Sequence, residues 1–226
     1  MNLRTPLIVT FAIVAAMLAA SLWVAQQLPA GTPIAIHWNV NGEPDRLARG
    51  WYAVFMAPAM AALISLVFVA IPWLEPRRFN LTQSRKLYTA IWIGIVALMA
   101  VIHGATLYSA LHGGARVGGV VLASVSLLIV VLGNYLGKSR STFLVGVRTP
   151  WTLSSEYSWQ RTHSLAGKLF MVAGLLGLVA TVAVPSQLAT RLFLYAMVAT
   201  VVLSVAMSYV YWLRDPDRRA HDATSP

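Results

Sequence analysis

WYAVFMAPAMAALISLVFVAIPWL, residues 51–74, carries no charged side chain from end to end. A hydrocarbon core of about 30 Å is crossed by roughly 20 apolar residues in helical form, so this stretch is long enough to span a bilayer. Five more stretches read the same way, near residues 7–28, 87–110, 117–137, 166–184 and 192–213, with charged and turn-forming residues gathered between them. The expected fold is therefore all-α: a polytopic membrane protein with six transmembrane helices. Composition agrees, with 58% hydrophobic and 11% charged residues and a mean hydropathy of +0.69. The gaps leave no room for a large soluble domain. The first stretch follows Arg4 and lacks a small-residue cleavage site, so it reads as a retained first helix.

The net charge of +10 invites a nucleic-acid reading, which its distribution opposes. With the N-terminus in the cytoplasm, only Arg46, Arg49, Arg116 and Arg191 fall outside, and the other 13 of 17 basic residues fall inside. This is the positive-inside pattern, and it predicts both termini in the cytoplasm. The bilayer is thus the first expected partner, with no direct contact to nucleic acid. The chain has no cysteine, which excludes disulfides and thiolate chemistry.

Trp23, Trp51, Trp73 and Trp212 fall near expected helix ends, where amphipathic rings suit the headgroup zone. Pro72 and Pro76 bracket the end of the second helix, and Pro185 marks the end of the fifth. Gly113, Gly114, Gly118 and Gly119 predict a tight turn around His112 and Arg116. Gly133 and Gly137 in the fourth helix, with Gly174 and Gly177 in the fifth, predict close helix packing. No internal repeat is visible. Two units are expected: a two-helix unit over 1–86 and a four-helix unit over 87–226.

Two loops concentrate the polar chemistry. In the outer one, Pro33–Asn39 alternates Ile34, Ile36 and Trp38 with smaller or polar residues, which predicts an extended segment. His37 and Asn39 would then share a face, and the Asn41-Gly42 turn would bring Glu43 and Asp45 back towards it, with Arg46 following. His37, Trp38, Asn39, Glu43 and Asp45 are the candidate outer ligand-binding set, suited to a peptide, a lipid headgroup or a metal. The competing reading is a loop that satisfies its own polar groups, with Trp38 at the interface. One histidine and two carboxylates make a poor metal set, so no metal or cofactor is expected.

In the inner loop, Asn134 stands near the end of the fourth helix, ready to bond exposed backbone or a neighbouring helix. Gly146 supplies a bend, and Pro150 holds Thr149 out of the helical region, predicting an extended Arg148-Thr149-Pro150-Trp151 strip. Ser154 is the expected N-cap of a helix from about Ser155, with Glu156 complementing its dipole. That helix puts Trp159, His163 and Gly167 on one face. Asn134, Arg148, Thr149, Pro150, Trp151, Glu156, Trp159 and His163 are the candidate partner or signalling set. An interfacial helix that simply anchors in the headgroups competes with that reading. No nucleophile, cofactor motif or phosphate loop accompanies Glu156 and His163, so no catalytic set is expected. Within the third helix, His103 is the most conspicuous polar group, expected as a neutral imidazole bonded to a neighbouring helix.

The segment Ile36-His37-Trp38-Asn39 with Asn41-Gly42-Glu43-Pro44-Asp45 resembles the signature of a small domain of unknown function at the N-terminus of SdpI-type proteins. Gly133-Asn134, Gly146-Val147-Arg148-Thr149-Pro150-Trp151-Thr152-Leu153, Trp159 and Thr162-His163 resemble the SdpI domain itself. The resemblance covers residues 8–60 and 110–185. It implies a multi-pass protein of the bacterial cytoplasmic (inner) membrane, not an enzyme, that gives immunity to or senses a membrane-active antimicrobial peptide. A member of that family also holds a small helix-turn-helix repressor at the membrane, which implies a possible repressor partner inside. The Lys-Pro-Asn common after the fourth helix is replaced around Ser139-Arg140-Ser141-Thr142, and the usual basic residue after Thr162-His163 is Ser164. The alternative function is a small-solute or ion transporter or channel, with His103 and Asn134 lining a path.

Overall fold

A computed structural model describes residues 2–39, 41, 43–113 and 117–218. Gly42, Gly114, Arg116 and Arg219, used above, lie outside the described residues. The elements in chain order are α1 (Arg4–Gln27), β1 (Pro33–Trp38), β2 (Pro44–Arg49), α2 (Trp51–Leu74), α3 (Arg78–Gln83), α4 (Arg85–His112), α5 (Val117–Leu136), α6 (Pro150–Ser154), α7 (Glu156–Ala183) and α8 (Ser186–Leu213). Six of them, α1, α2, α4, α5, α7 and α8, are long and apolar enough to cross a membrane. The outer loop adds a two-stranded antiparallel hairpin to a fold expected to be all-α.

The six spans alternate in direction, so α1 begins and α8 ends at the same end of the bundle. That end holds most of the basic residues; the other carries the hairpin. The fifth span is longer than its apolar core suggested. The helix expected near Ser155 and the span expected at 166–184 are one continuous α7 of 28 residues. At 1.5 Å per residue it is about 42 Å long, which leaves its polar first turns beyond the hydrocarbon. Nothing between them breaks the helix, because Gly167 lacks a Cβ without lacking an N–H.

One aromatic knot binds α2 to α4. The Phe68 ring stacks on Trp92 at 5.7 Å between centroids and meets Tyr88 edge-on at 5.6 Å, while the Tyr88 hydroxyl donates to the Phe68 carbonyl. Met17, Ala61, Leu81, Val96, Leu136, Val145 and Ala166 complete this core, which runs across the expected unit boundary after residue 86. His103 of α4 is tied to α1 and, through Ser21, to α2. Ser21 Oγ donates to the Val54 carbonyl at 2.7 Å, so its oxygen is left to receive Nε2–H of His103 at 3.0 Å.

Between α5 and α7 the contact is backbone on backbone. A Cβ added at Gly167 would lie 2.6 Å from the Gly133 carbonyl oxygen, and one at Gly174 would lie 2.7 Å from that of Ser126. In lipid, where burying apolar area between helices gains little, this close van der Waals packing holds the pair together.

The basic end is tied by a latch between segments far apart in sequence. The Glu75 side chain is fully buried beyond the end of α2. Its carboxylate accepts the backbone N–H of Phe143 at 3.0 Å and 3.1 Å, of Leu144 at 2.9 Å and of Arg77 at 3.0 Å. Arg77 donates to Ser141 Oγ and to the Leu153 carbonyl, the latter at 3.0 Å, and lies over the Phe143 ring at 4.6 Å. Asn80 Nδ2 donates to the Ser141 carbonyl at 2.8 Å, and the Arg140 N–H to Ser84 Oγ at 2.8 Å. Ser139, Ser141 and Thr142 are all buried at this end.

Two measurements check this packing and latch. Gly167→Ala should lower thermal stability in detergent by about 1–3 kcal/mol, because the neighbour it strikes is backbone. Gly104→Ala, with nothing within 4 Å of the new Cβ, should be neutral or gain up to about 1 kcal/mol of helix propensity. Glu75→Ala should cost about 3 kcal/mol or more by stranding the Phe143 and Leu144 amides, a fall in Tm of about 10 °C.

Candidate functional site

The hairpin at one end of the bundle is built by its asparagine. Asn39 Oδ1 accepts the N–H of Asn41 at 2.9 Å and of Glu43 at 3.1 Å, while its own N–H donates to the Glu43 carbonyl at 2.9 Å. This side chain holds the turn that the sequence assigned to Asn41-Gly42. His37 Nδ1 lies 2.6 Å from Asp45 Oδ1, and Asn39 Nδ2 donates to Glu43 Oε2 at 3.3 Å. Glu43 and Asp45 do come back to meet Asn39 and His37, as the extended-strand reading expected. The alternation is not regular, because the register is broken between Ala35 and Trp38 where His37 pairs with Arg46.

Ile34 and Ala48 seat the hairpin on Val24, Ala53, Val54 and Leu107, from α1, α2 and α4. That seating turns Ile36, His37, Trp38 and Asn39 over a groove of about 410 Å³. Ile102 of α4, Leu122 and Val125 of α5 and Phe193 of α8 make its apolar wall, and Thr190 adds a hydroxyl. Glu43 and Asp45 brace the hairpin and do not line the groove. An apolar trough with imidazole and amide along one rim suits an amphipathic chain. Among the described residues, no three of His, Asp and Glu converge as metal ligands.

At the basic end, the candidate residues separate into buried supports and exposed groups. Trp159 and His163 are fully buried and stacked at 3.9 Å, so they do not form an outward face. Trp159 Nε1 donates to the Ser139 carbonyl at 3.0 Å. The Val147 N–H donates to His163 Nε2 at 2.9 Å, which leaves Nδ1 to carry the proton and donate to the Trp159 carbonyl at 2.8 Å. Gly146, at φ +122°, packs on this stack; a Cβ there would lie 2.6 Å from His163 Nε2. Both imidazole nitrogens are therefore occupied, Nε2 in holding the loop and Nδ1 on the backbone of α7 itself.

The extended Arg148–Trp151 strip needs correcting. Thr149 is extended, but Pro150 opens the short helix α6 at its first position and Trp151 follows within it. Proline disfavours helix in the residue before it and suits the first helical position itself. Thr149 and Thr152 cap α6 reciprocally, and Thr149 Oγ1 also lies 3.0 Å from Ser208 Oγ of α8. The N-cap of α7 is Ser155, not Ser154; Ser155 accepts the Ser158 N–H at 2.9 Å and donates to Asp215 at 2.5 Å. Trp151 packs against Tyr209 at 5.0 Å, and exposed Arg148 donates to the Phe143 carbonyl at 2.8 Å. Asn134 is exposed on α5 with no hydrogen bond among the described residues, contrary to the bonded amide expected. His103 is buried, with its Nε2 bonded to Ser21 Oγ of α1.

Exposed Glu156 pairs with Arg140 at 3.6 Å. Beside that pair opens a cleft of about 530 Å³ lined by Lys138, Arg140, Tyr157, Gln160, Arg161 and Ser164. Sequence reasoning used these cations only for topology. It also passed over Glu75 and Asp215, each of which accepts a hydrogen bond from a residue 60 or more positions away. Glu75 did leave a mark: it is one of seven acids in the chain and directly follows an apolar span, ahead of a run of arginines.

Comparison with known proteins finds two matching segments. Residues 12–62, from α1 through the hairpin into α2, match a domain of unknown function, DUF1648. Residues 138–211, from the latched loop through α8, match the SdpI/YfhL protein family; the match begins after Gly133 and Asn134. The chain is 24% identical over 202 residues to the immunity protein SdpI of Bacillus subtilis (strain 168), covering 89% of this chain and 91% of that protein. No solved structure matches. Both matched segments stand in this order, and the similar immunity protein aligns along most of the chain's length.

Proposed function

We propose that this protein protects a bacterial cell from a membrane-active peptide by binding it in the groove beneath the hairpin. The carrying observation is the groove itself, about 410 Å³ of apolar wall rimmed by His37, Trp38 and Asn39. A peptide that dissolves in membranes presents an apolar face with polar groups along its edge, which matches that lining. The name of the similar Bacillus subtilis protein supports an immunity role. In this reading the hairpin faces outwards and the basic end lies in the cytoplasm, as the positive-inside rule favours. The activity is binding and needs no catalytic group.

Signalling would use the other end. The loop latched by Glu75, Trp159 and His163 forms one wall of the cleft holding Lys138, Arg140 and Arg161, and that cleft suits an acidic segment of a small cytoplasmic regulator. Buried Thr149, Trp159 and His163 would shape this surface from beneath, while Arg148 and Glu156 stand exposed beside it.

Cells expressing the protein should survive a secreted membrane-active peptide that kills cells lacking it. Trp38→Ala should weaken binding of that peptide about tenfold and remove most protection at equal membrane abundance. Equal killing with and without the wild-type protein, across a panel of such peptides, contradicts immunity. Arg140→Glu with Arg161→Glu should leave survival intact and abolish the transcript changes that the peptide induces. Unchanged transcripts in the wild-type strain would contradict signalling alone.

A further inference from the structure

The helix α4 begins Arg85-Lys86 and continues with Ala90, Ile93 and Gly94 along the face that turns towards α1 and α5. These residues line a lateral groove of about 630 Å³, closed by Thr5 and Pro6 of α1 and by Val131 and Tyr135 of α5. A second pocket of about 290 Å³ adjoins it, shares Arg85, Lys86 and Tyr135, and adds Lys138. The groove therefore has a cationic rim at the basic end and an apolar floor between spanning helices. Among the described residues, no acidic side chain lines either pocket.

The rim is electrostatically incomplete. Elsewhere at this end the guanidinium groups have work: Arg77 holds Ser141 and Leu153, Arg140 pairs with Glu156, and Arg148 caps the Phe143 carbonyl. The side chains of Arg85, Lys86 and Lys138 make no hydrogen bond or ion pair among the described residues. The hydroxyls of Thr89 and Tyr135, between rim and floor, are likewise unbonded. The amino end of α4 points its positive pole the same way. Ala90, Ile93 and Gly94 give the floor its apolar surface, with Leu128 packed where a Cβ on Gly94 would stand, and Val131 on α5 is exposed.

We propose that this groove binds one anionic phospholipid, with its phosphodiester at Arg85, Lys86 and Lys138 and an acyl chain along Ala90, Ile93 and Gly94. A basic pocket between spanning helices at the cation-rich end is the kind of site that recognises acidic headgroups. A free phosphate has nothing to place on the apolar floor. Ile93, Gly94 and exposed Val131 belong to helices long and apolar enough to span a membrane, where lipid meets the bundle.

The test is displacement of a fluorescent phosphatidylglycerol from the purified full chain in neutral detergent. Unlabelled phosphatidylglycerol should compete, phosphatidylcholine with the same chains should compete at least about tenfold less well, and glycerol 3-phosphate should not compete. Each cation is worth about fivefold, so Arg85→Gln with Lys86→Gln should weaken binding about 25-fold. Arg78→Gln with Arg214→Gln removes the same charge from the same end outside the groove and should leave binding unchanged. Both double variants are compared with matched thermal unfolding in lipid-free detergent. Equal competition by phosphatidylcholine, or an unchanged affinity in the Arg85/Lys86 variant, overturns the proposal. Competition by glycerol 3-phosphate as strong as by the lipid, or an equal loss in the Arg78/Arg214 variant, overturns it as well.

Discussion

A buried carboxylate that answers backbone amides from the far side of the sequence is the constraint on which the rest of this structure depends. Glu75 lies fully buried, and a carboxylate taken out of water must be matched by donors. The donors are the N–H groups of Phe143 and Leu144, 68 and 69 positions along the chain. The bond therefore fixes a loop of the SdpI/YfhL segment onto the end of the segment that begins with the hairpin. From the opposite side Trp159 and His163 hold Ser139 and Val147 of that same loop, so it is clamped between the two parts of the bundle. Side chains alone supply the carboxylate, indole and imidazole, but the loop answers with backbone, which any residue would offer.

That distinction explains what could be read in advance. Composition is enough to find six spans, because a spanning helix must be apolar throughout and long enough, and residues 51–74 state both conditions directly. The hairpin was legible through alternation and the Asn39–Asp45 turn chemistry, both local in sequence. The spacing of Trp159 and His163 correctly placed them on one face, but periodicity does not say whether a face meets lipid, a partner or a loop. It met the loop. Pro150 was misread because proline constrains its predecessor and itself in opposite senses, and only the capping pair Thr149–Thr152 shows that a helix begins there. Glu75 was missed because a carboxylate satisfied by amides has no partner side chain to find.

The candidate binding groove inherits its shape from the same economy. Hairpin residues Ile34 and Ala48 sit on α1, α2 and α4, whereas the groove wall comes from α4, α5 and α8. The hairpin therefore bridges the two parts of the bundle at one end, as the Glu75 latch does at the other. The backbone contacts of Gly133 with Gly167 and of Ser126 with Gly174 keep α5 and α7 from sliding between them. A ligand that lifted the hairpin would press on α5 and α8, whose far ends adjoin the latched loop and Ser208.

The most direct test of the clamp is amide hydrogen exchange in the intact protein in lipid nanodiscs, read at Phe143, Leu144 and Val147. These amides sit in a non-helical loop beyond the spans, where unbonded N–H groups exchange quickly. The account predicts slow exchange at all three, with protection at Phe143 and Leu144 lost in Glu75→Ala while the α5 and α7 amides around Gly133 and Gly167 stay protected. Fast exchange at Phe143 and Leu144 in the wild-type protein, at the rate of an open loop, would contradict it.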